Sequence, residues 1–563
     1  MATPTFVCAN WNPDNTDCSK IGRYSCGNCF LLAYCGPNCQ KSHWFLHKTD
    51  CRSHLAKKTW NPDWVGENRT PAFVRGGIAV PYGGTRFLWG NIPAFDILRL
   101  GSNEGDDYRE QLHLLFAASG DLRNVAKTIA QLPNCYKQPV SITMNDRDLD
   151  VVARNAIILL IAFVVDDINE AIDCMIHVWY SALIRTSDVI ILQNRIHPLI
   201  KSVCEKIKNK PTSTILGKTW GFGNHSLRLV LRKPSWDALL SFLKIPEGLT
   251  AERANNIRIA ATLAESRKDY RDRNLLLQSP SRRIAITRFW KDGLLLPFAS
   301  PRSDFDEPNP TLFQTIDTWP MHDSANPLDG WSLKDVEDSP SGPATADIYG
   351  KLFYHVRAVL RAFIVRLSGI QVSLQLLQMD ASDLPNFLKS GSFNRIEVSN
   401  ISDSGYLGIR RTIDLMVPLL QDPHINPHAT LITLFMNAVD ENTTAEDRIA
   451  DIARSLTTKR LHEYLPVKAK PTSMFDPALI KLDFARDFVT SHDHIFDRFV
   501  KDFKFAEAGQ SNGAAVKERH TVVEKWPFRL KLRPGQSGAE EEFNRLLSGG
   551  VSGKERYMEW KRI

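Results

Sequence analysis

The sequence predicts an α/β chain: a small N-terminal finger folded around metal, then a doubly wound sheet that carries a large helical insertion. Three observations lead there. Seven of the ten cysteines fall between Cys8 and Cys51. Short apolar runs ending in small or acidic residues alternate with helical periods on both sides of the middle of the chain. The middle itself has helical spacing over long stretches. At 563 residues the chain is too long for one core. The expected divisions are a finger over 1–55, a linker over 56–85, a first part of the α/β body over 86–165, a helix-rich insertion over 166–370, a second part of the body over 371–505 and a C-terminal extension over 506–563.

The finger comes first. Cys8, Cys18, Cys26, Cys29, Cys35, Cys39, His47 and Cys51 make eight soft donors, enough for two closed tetrahedral zinc sites. Cys26-Gly27-Asn28-Cys29 is a tight knuckle, and Cys35/Cys39 and His47/Cys51 are spaced to share one face of a helical turn. Helical spacing leaves His43, midway between Cys39 and His47, open as an alternative donor. Closed sites hold no substrate, so the cluster implies folding and a surface, not catalysis.

Tyr34-Cys35, Cys39-Gln40, Trp44, His47 and Cys51 together resemble the MYND finger. That resemblance implies interleaved ligands, with Cys8, Cys18, Cys35 and Cys39 on one zinc and Cys26, Cys29, His47 and Cys51 on the other. It favours His47 over His43. It also implies a protein partner, a proline-containing peptide docked near Gln40 and Trp44. The first pair departs from the family's usual CxxC knuckle, because nine residues separate Cys8 from Cys18; Asn10, Asn12 and Pro13 are read as the longer loop.

Arg52 to Asn68 is polar and punctuated by Asn61-Pro62, which reads as a linker that leaves the finger a separate unit. The body then opens with the buried run Leu114 to Ala117, the turn Ala118-Ser119-Gly120-Asp121 and a helix from Leu122 to Leu132. Val140 to Met144 is a second strand ending in Asn145-Asp146, and a helix follows from Leu149 to Val165. Helical stretches run over Ile168 to Thr186, Val189 to Lys208, Ala251 to Arg271 and Tyr349 to Leu367. Strands resume at Val372 to Met379, Phe393 to Val398 and Ala429 to Met436, the order of a doubly wound sheet. Gly509 to Ala515 reads as a flexible link, Val522 to Leu532 as a strand and Ala539 to Leu547 as a helix.

Laid end to end, the body segments resemble the S-adenosylmethionine-dependent methyltransferase fold. The resemblance would put Gly120 against the methionine end of the cofactor, Asp146 on the ribose hydroxyls and Asp380 beside the adenine. The turn holds one glycine where that family has two or three, so little or no S-adenosylmethionine binding is expected. Phe95 through Leu160, notably Leu115 to Asn124 and Arg154-Asn155, also resembles the N-terminal domain of dynein axonemal assembly factor 3, which occurs with MYND fingers in fungal proteins. That resemblance implies assembly rather than transfer chemistry.

The longest apolar run, Ala156 to Val165, is ten residues and ends in Asp166 and Asp167, too short to cross a bilayer. Met1 to Val7 does not begin a secretory signal. The net charge of +7 is spread without a basic run, so neither a membrane nor nucleic acid is the expected partner. The reading is an intracellular, cytoplasmic or nuclear zinc protein that docks another protein for assembly or regulation. Its alternative is a methyltransferase whose finger recruits substrate.

Overall fold

The computed structural model describes residues 6–12, 18–77, 80–453, 455–466, 471 and 473–563, with backbone alone at 451–453, 455 and 456. The chain enters through an antiparallel pair, β1 (Tyr24–Ser25) and β2 (Ala33–Tyr34), and a helix over Pro37–Cys51 whose proline sits in the first turn, where a missing N–H costs nothing. The body's strands are β3 (Leu112–Phe116), β4 (Val140–Asp146), β5 (Leu183–Ile184), β6 (Ile215–Phe222), β7 (His225–Arg232), β8 (Glu307–Pro308), β9 (Val372–Gln378), β10 (Arg395–Glu397), β11 (Thr430–Phe435), β12 (Ala514–Val516) and β13 (Arg556–Arg562). Among the described residues nine of them form one sheet in the order β12-β13-β11-β10-β3-β4-β9-β7-β6.

From β11 to β7 all neighbours are parallel, whereas β13 runs antiparallel to both β11 and β12, and β6 antiparallel to β7. Parallel strands covered on both faces are rich in apolar residues, and these are, with Asn145, Arg395 and Glu397 among the buried polar exceptions. Successive side chains point to opposite faces. Leu114 and Phe116 enter one core, with Ile142, Leu374 and Leu376; Leu115 and Ala117 enter the other, with Ile396, Leu431 and Trp560. The buried helix Leu149–Val164 and the helix Ile348–Ser368 pack on the first core; the helices Gly408–Met416 and Asp493–Asp502 pack on the second.

Several segments differ from the sequence reading. The stretch read as a linker holds short helices at Asp63–Gly66 and Ala72–Gly76 that bury Trp64 and Phe73 against Leu276 and Ile480. The finger is not set apart either, since its Leu31, Leu32, Tyr34 and Leu55 join the same apolar core as Phe289 and Tyr349. The helix-rich insertion also supplies the β6–β7 hairpin, which widens the sheet beside β9.

The C-terminal extension differs too. Residues 509–515 are not a free link, because the helix Phe505–Ser511 and β12 pin them against Trp560. Residues 522–532 form no strand, because the amides of Thr521, Val522 and Val523 are taken by the carboxylate of Glu559. No described helix is long and apolar enough to cross a membrane.

Candidate metal centre

The eight donors of the finger converge as two quartets. Cys8, Cys18, Cys35 and Cys39 offer four sulfurs within 4.8 Å of one another, and Cys26, Cys29, His47 and Cys51 do the same with three sulfurs and a ring nitrogen. Local structure explains each position. The Cys26–Cys29 knuckle is closed by the Phe30 amide donating to the Cys26 carbonyl at 2.9 Å. One helix then serves both quartets, with Cys39 in its first turn and His47 and Cys51 in its last two. His47 lies eight positions after Cys39, a rise of about 12 Å along that helix.

Cys8 reaches its quartet across a long gap because the backbone on either side is held. The Cys8 amide donates to Lys20 at 2.9 Å, the Ala9 amide to Ala33 at 2.8 Å and the Cys18 amide to Asn10 at 3.1 Å. Asn10 itself is fully buried, and Pro13, read as part of the loop, lies outside the described residues. His43 stands outside both quartets, its Nδ1 paired with the Tyr34 hydroxyl at 3.0 Å.

The residues present fit zinc. Cys18 and Cys35 sulfurs are 3.7 Å apart, Cys26 and Cys51 also 3.7 Å, Cys35 and Cys39 3.4 Å, and Cys29 Sγ lies 3.4 Å from His47 Nε2. A tetrahedron with Zn–S bonds of about 2.3 Å has edges of about 3.8 Å, and a disulfide would need about 2.05 Å. Burial pushes the thiols of Cys8, Cys29 and Cys51 up from their ordinary value, and the neighbouring Cys39 sulfur raises Cys35 to about 12. Hydrogen bonds lower one thiol in each quartet, Cys18 in the first and, against its burial, Cys26 in the second; a dication bound by either quartet would convert its remaining thiols to thiolates and release their protons. Burial drives His47 down to about 4, which keeps its ring in the neutral form a metal needs. Asn28 donates its side-chain amide to Cys51 Sγ at 3.2 Å, a contact that supports a ligand sulfur.

The finger's outer face stays apolar in places. Ile21, Tyr24, Phe30, Phe45 and Leu46 are all exposed. Gln40 and Trp44 are half-buried; Trp44 stands edge-on to His47 with the Arg52 guanidinium 5.2 Å over its ring. The inner face is fastened to the body. Ser281 donates to the Cys29 carbonyl at 2.8 Å, the Ala346 amide to Phe30 at 3.0 Å, and Arg288 pairs with Asp50 at 3.3 Å.

Gly120, Asp146 and Asp380 lie at the carboxyl ends of β3, β4 and β9, where Asn145 ties the three strands by donating to the carbonyls of Ala117 and Met379 at 2.9 and 3.1 Å. Gly120 adopts φ +53°, which favours glycine. Its amide and that of Asp148 both donate to the Asp146 carboxylate, at 3.1 and 3.0 Å, and its carbonyl accepts from Asn155 at 2.7 Å. Asp121 forms a salt bridge with Arg123 at 2.7 Å. Asp380 is exposed and caps the next turn through the Ser382 amide at 2.9 Å. The space beside Asp121 and Asn155 is about 10 Å³, enough for one water.

A MYND finger model matches residues 15–51, and the model of a domain of unknown function (DUF4470) matches residues 88–184. No curated protein and no solved structure matches the chain. The MYND finger is a protein-interaction domain, and with its two Cys/His quartets this chain has a zinc-binding, protein-interaction module at its N-terminus. Cys8 precedes the matched stretch; its burial and its place beside Cys18, Cys35 and Cys39 are what join it to the finger.

Proposed function

We propose that the chain is an intracellular assembly or regulatory protein that docks a partner through its zinc-held finger, with the α/β body as the platform that holds the finger in place. The observation that carries this reading is the division of the finger into an inner face fastened to the body and an outer face where Tyr24, Phe45 and Leu46 are exposed. Large apolar residues gathered on one small module are spared by selection for solubility when they meet something. A proline-containing peptide lying near Gln40 and Trp44 suits this surface, since a half-buried indole offers a flat apolar wall for a proline ring. The eight donors need reduced thiols, which favours cytoplasm or nucleus. The assembly role rests on the resemblance of Phe95 through Leu160 to the dynein assembly factor domain found with fungal MYND fingers, a stretch inside the matched domain of unknown function. The division into finger, body, insertion and extension is kept as the working description.

Peptide binding to the full-length zinc-loaded protein tests the reading. Proline-containing peptides are expected to bind, and Trp44→Ala to weaken them about tenfold without loss of zinc. Peptides that bind Trp44→Ala as well as the parent would move the groove elsewhere; partners retained by a Tyr24→Ser, Phe45→Ser, Leu46→Ser protein would remove the finger from docking altogether.

A second reading, a methyltransferase with a recruiting finger, is favoured by one observation. Counting from β3, the parallel strands run outward through β4 to β9 and then restart on the other side with β10 and β11, so a switch point lies between β3 and β10, where such sheets bind ligands. Against it stands the turn after β3, whose carbonyl and amide are already bonded to Asn155 and Asp146.

A further inference from the structure

A cavity of about 740 Å³ opens where the insertion meets the C-terminal extension, lined by none of the finger's eight donors and by none of Gly120, Asp146 and Asp380. Its walls come from the helices Lys268–Leu276, Pro280–Asp292 and Ala539–Ser548 and from the loops around 322–334 and 527–531. The helix Pro280–Asp292 turns Ser281 and Arg288 to the finger and, at spacings of four, Arg282, Ile286 and Trp290 to the cavity. The volume is that of a small-molecule site.

The lining is strongly cationic. Six arginines and two lysines stand against Asp323, Asp329 and Glu542. The acids offer little opposition. Asp323 is consumed by Arg267 at 2.8 Å, Glu542 accepts the backbone amides of Lys531 and Leu532, and desolvation in the wall pushes the Asp329 carboxyl up to about 7. Arg282 and Arg545 share the single carboxylate of Glu337. Arg271 and Arg529 form no direct salt bridge among the described residues; Arg271 donates to the Ala264 carbonyl and feels Asp272, Glu265 and Asp323 at longer range, and Arg529 lies 5.7 Å from the Trp526 ring. Trp290 and Phe528, both half-buried, line the same cavity, with Tyr270 under the Arg267 guanidinium and Trp331 buried behind. Gln278, only 7% exposed, donates to Ser548 while its Oε1 has no hydrogen-bond partner among the described residues.

We propose that this cavity binds a small organic anion, an aromatic body carrying a phosphate- or sulfonate-type group, with the anionic end at Arg271 and Arg529 and the flat body against Trp290 and Phe528. Two arginines without a direct ion pair, Arg271 in the wall and Arg529 on the rim of a cavity where cations outnumber acids, favour an anion, a planar guanidinium pairs two anionic oxygens at once, and the aromatic residues favour an organic body over a bare inorganic ion. A hydrogen-bond donor on the body would meet Gln278 Oε1.

Titration of the full-length zinc-loaded protein tests this. ADP and 1-anilinonaphthalene-8-sulfonate represent the phosphate and sulfonate arms, adenosine the neutral body and pyrophosphate the bare charge. At least one of the two organic anions is expected to bind saturably, more tightly than adenosine and pyrophosphate. Arg271→Gln should weaken it about tenfold or more, the scale of one lost charged hydrogen bond. Arg529→Glu, on the exposed rim, should do the same with zinc content and thermal transition unchanged. Binding of neither organic anion overturns the proposal, as does binding that survives both substitutions or that adenosine or pyrophosphate matches.

Discussion

In the finger, eight thiol and imidazole groups lie side by side and meet mostly one another, while at the carboxyl ends of β3, β4 and β9 the polar groups meet the protein's own backbone. Cys29 Sγ faces His47 Nε2 and Cys26 Sγ faces Cys51 Sγ, close contacts between donors that an ion among them would bridge. Asp146, by contrast, already holds two amides, and Asn145 two carbonyls. Both regions gather polar side chains at loop ends, and the strand ends also leave Asn145 Oδ1 and Gln378 Oε1 without a hydrogen-bond partner among the described residues, but in the finger four soft donors converge on each of two points. Convergence of donors, more than the presence of suitable residue types, distinguishes a metal centre from a turn tied to its own backbone.

The largest effect that probes this difference is removal of metal. The intact protein should carry two zinc ions, and Cys26→Ser or Cys8→Ser should each leave one. Structural zinc in small fingers is worth about 10–16 kcal/mol, so chelation should unfold the finger. Because Ser281, Ala346 and Arg288 bind the finger's inner face, hydrogen exchange along Pro280–Asp292 should rise as well. Elemental analysis finding fewer than two zincs would falsify the donor assignment; a body indifferent to chelation would break the view that finger and body share a core.

At the strand ends the expected change is smaller. Asp146→Ala leaves the amides of Gly120 and Asp148 without their acceptor and should cost about 1–3 kcal/mol in urea unfolding. Calorimetry with S-adenosylmethionine is expected to show no micromolar binding to the parent. Micromolar binding abolished by Asp146→Ala would reverse the comparison and make the switch point a cofactor site.

How much of this was legible in the sequence follows the same physics. The parallel strands β3, β4, β9, β10 and β11 are read from the apolar residues that burial on both faces favours. The ligand spacing in the finger is equally direct from Cys26 onward, since one knuckle and one helix set it. The hairpin β6–β7 is hidden because it lies at the sheet's edge, with the cross-strand pair Thr219 and Arg228 exposed, between two stretches of helical spacing. β13 is hidden more deeply: Arg556, Glu559 and Trp560 are fully buried, and a charged sequence reads as surface unless one knows that the Thr521, Val522 and Val523 amides wait for Glu559. The cationic cavity gives no local signal at all, since its walls come from segments more than 200 residues apart.

The smallest effect concerns the one strand-end carboxylate whose needs are only partly met. Glu397 closes β10 at 4% exposure and accepts a single amide, from Ser399 at 2.6 Å. Burial pushes its carboxyl up from 4.5 to about 7 against the pull of Arg123. The folded chain thus holds this proton more tightly than the unfolded chain does, so its contribution to stability is complete below pH 4.5 and is lost as pH rises through 7. Between pH 6 and pH 8 the loss is about 1 kcal/mol. Glu397→Gln keeps an acceptor for Ser399 and removes the titration, so urea unfolding should show the variant's stabilities at pH 6 and pH 8 closer together than the parent's by that amount. A parent whose stability changes across that window no more than the variant's would show that Glu397 is already ionised in the fold, with Arg123 as its effective partner. The carboxyl edge of the sheet would then be as fully tied as the turn at Gly120, and the contrast with the finger would be sharper still.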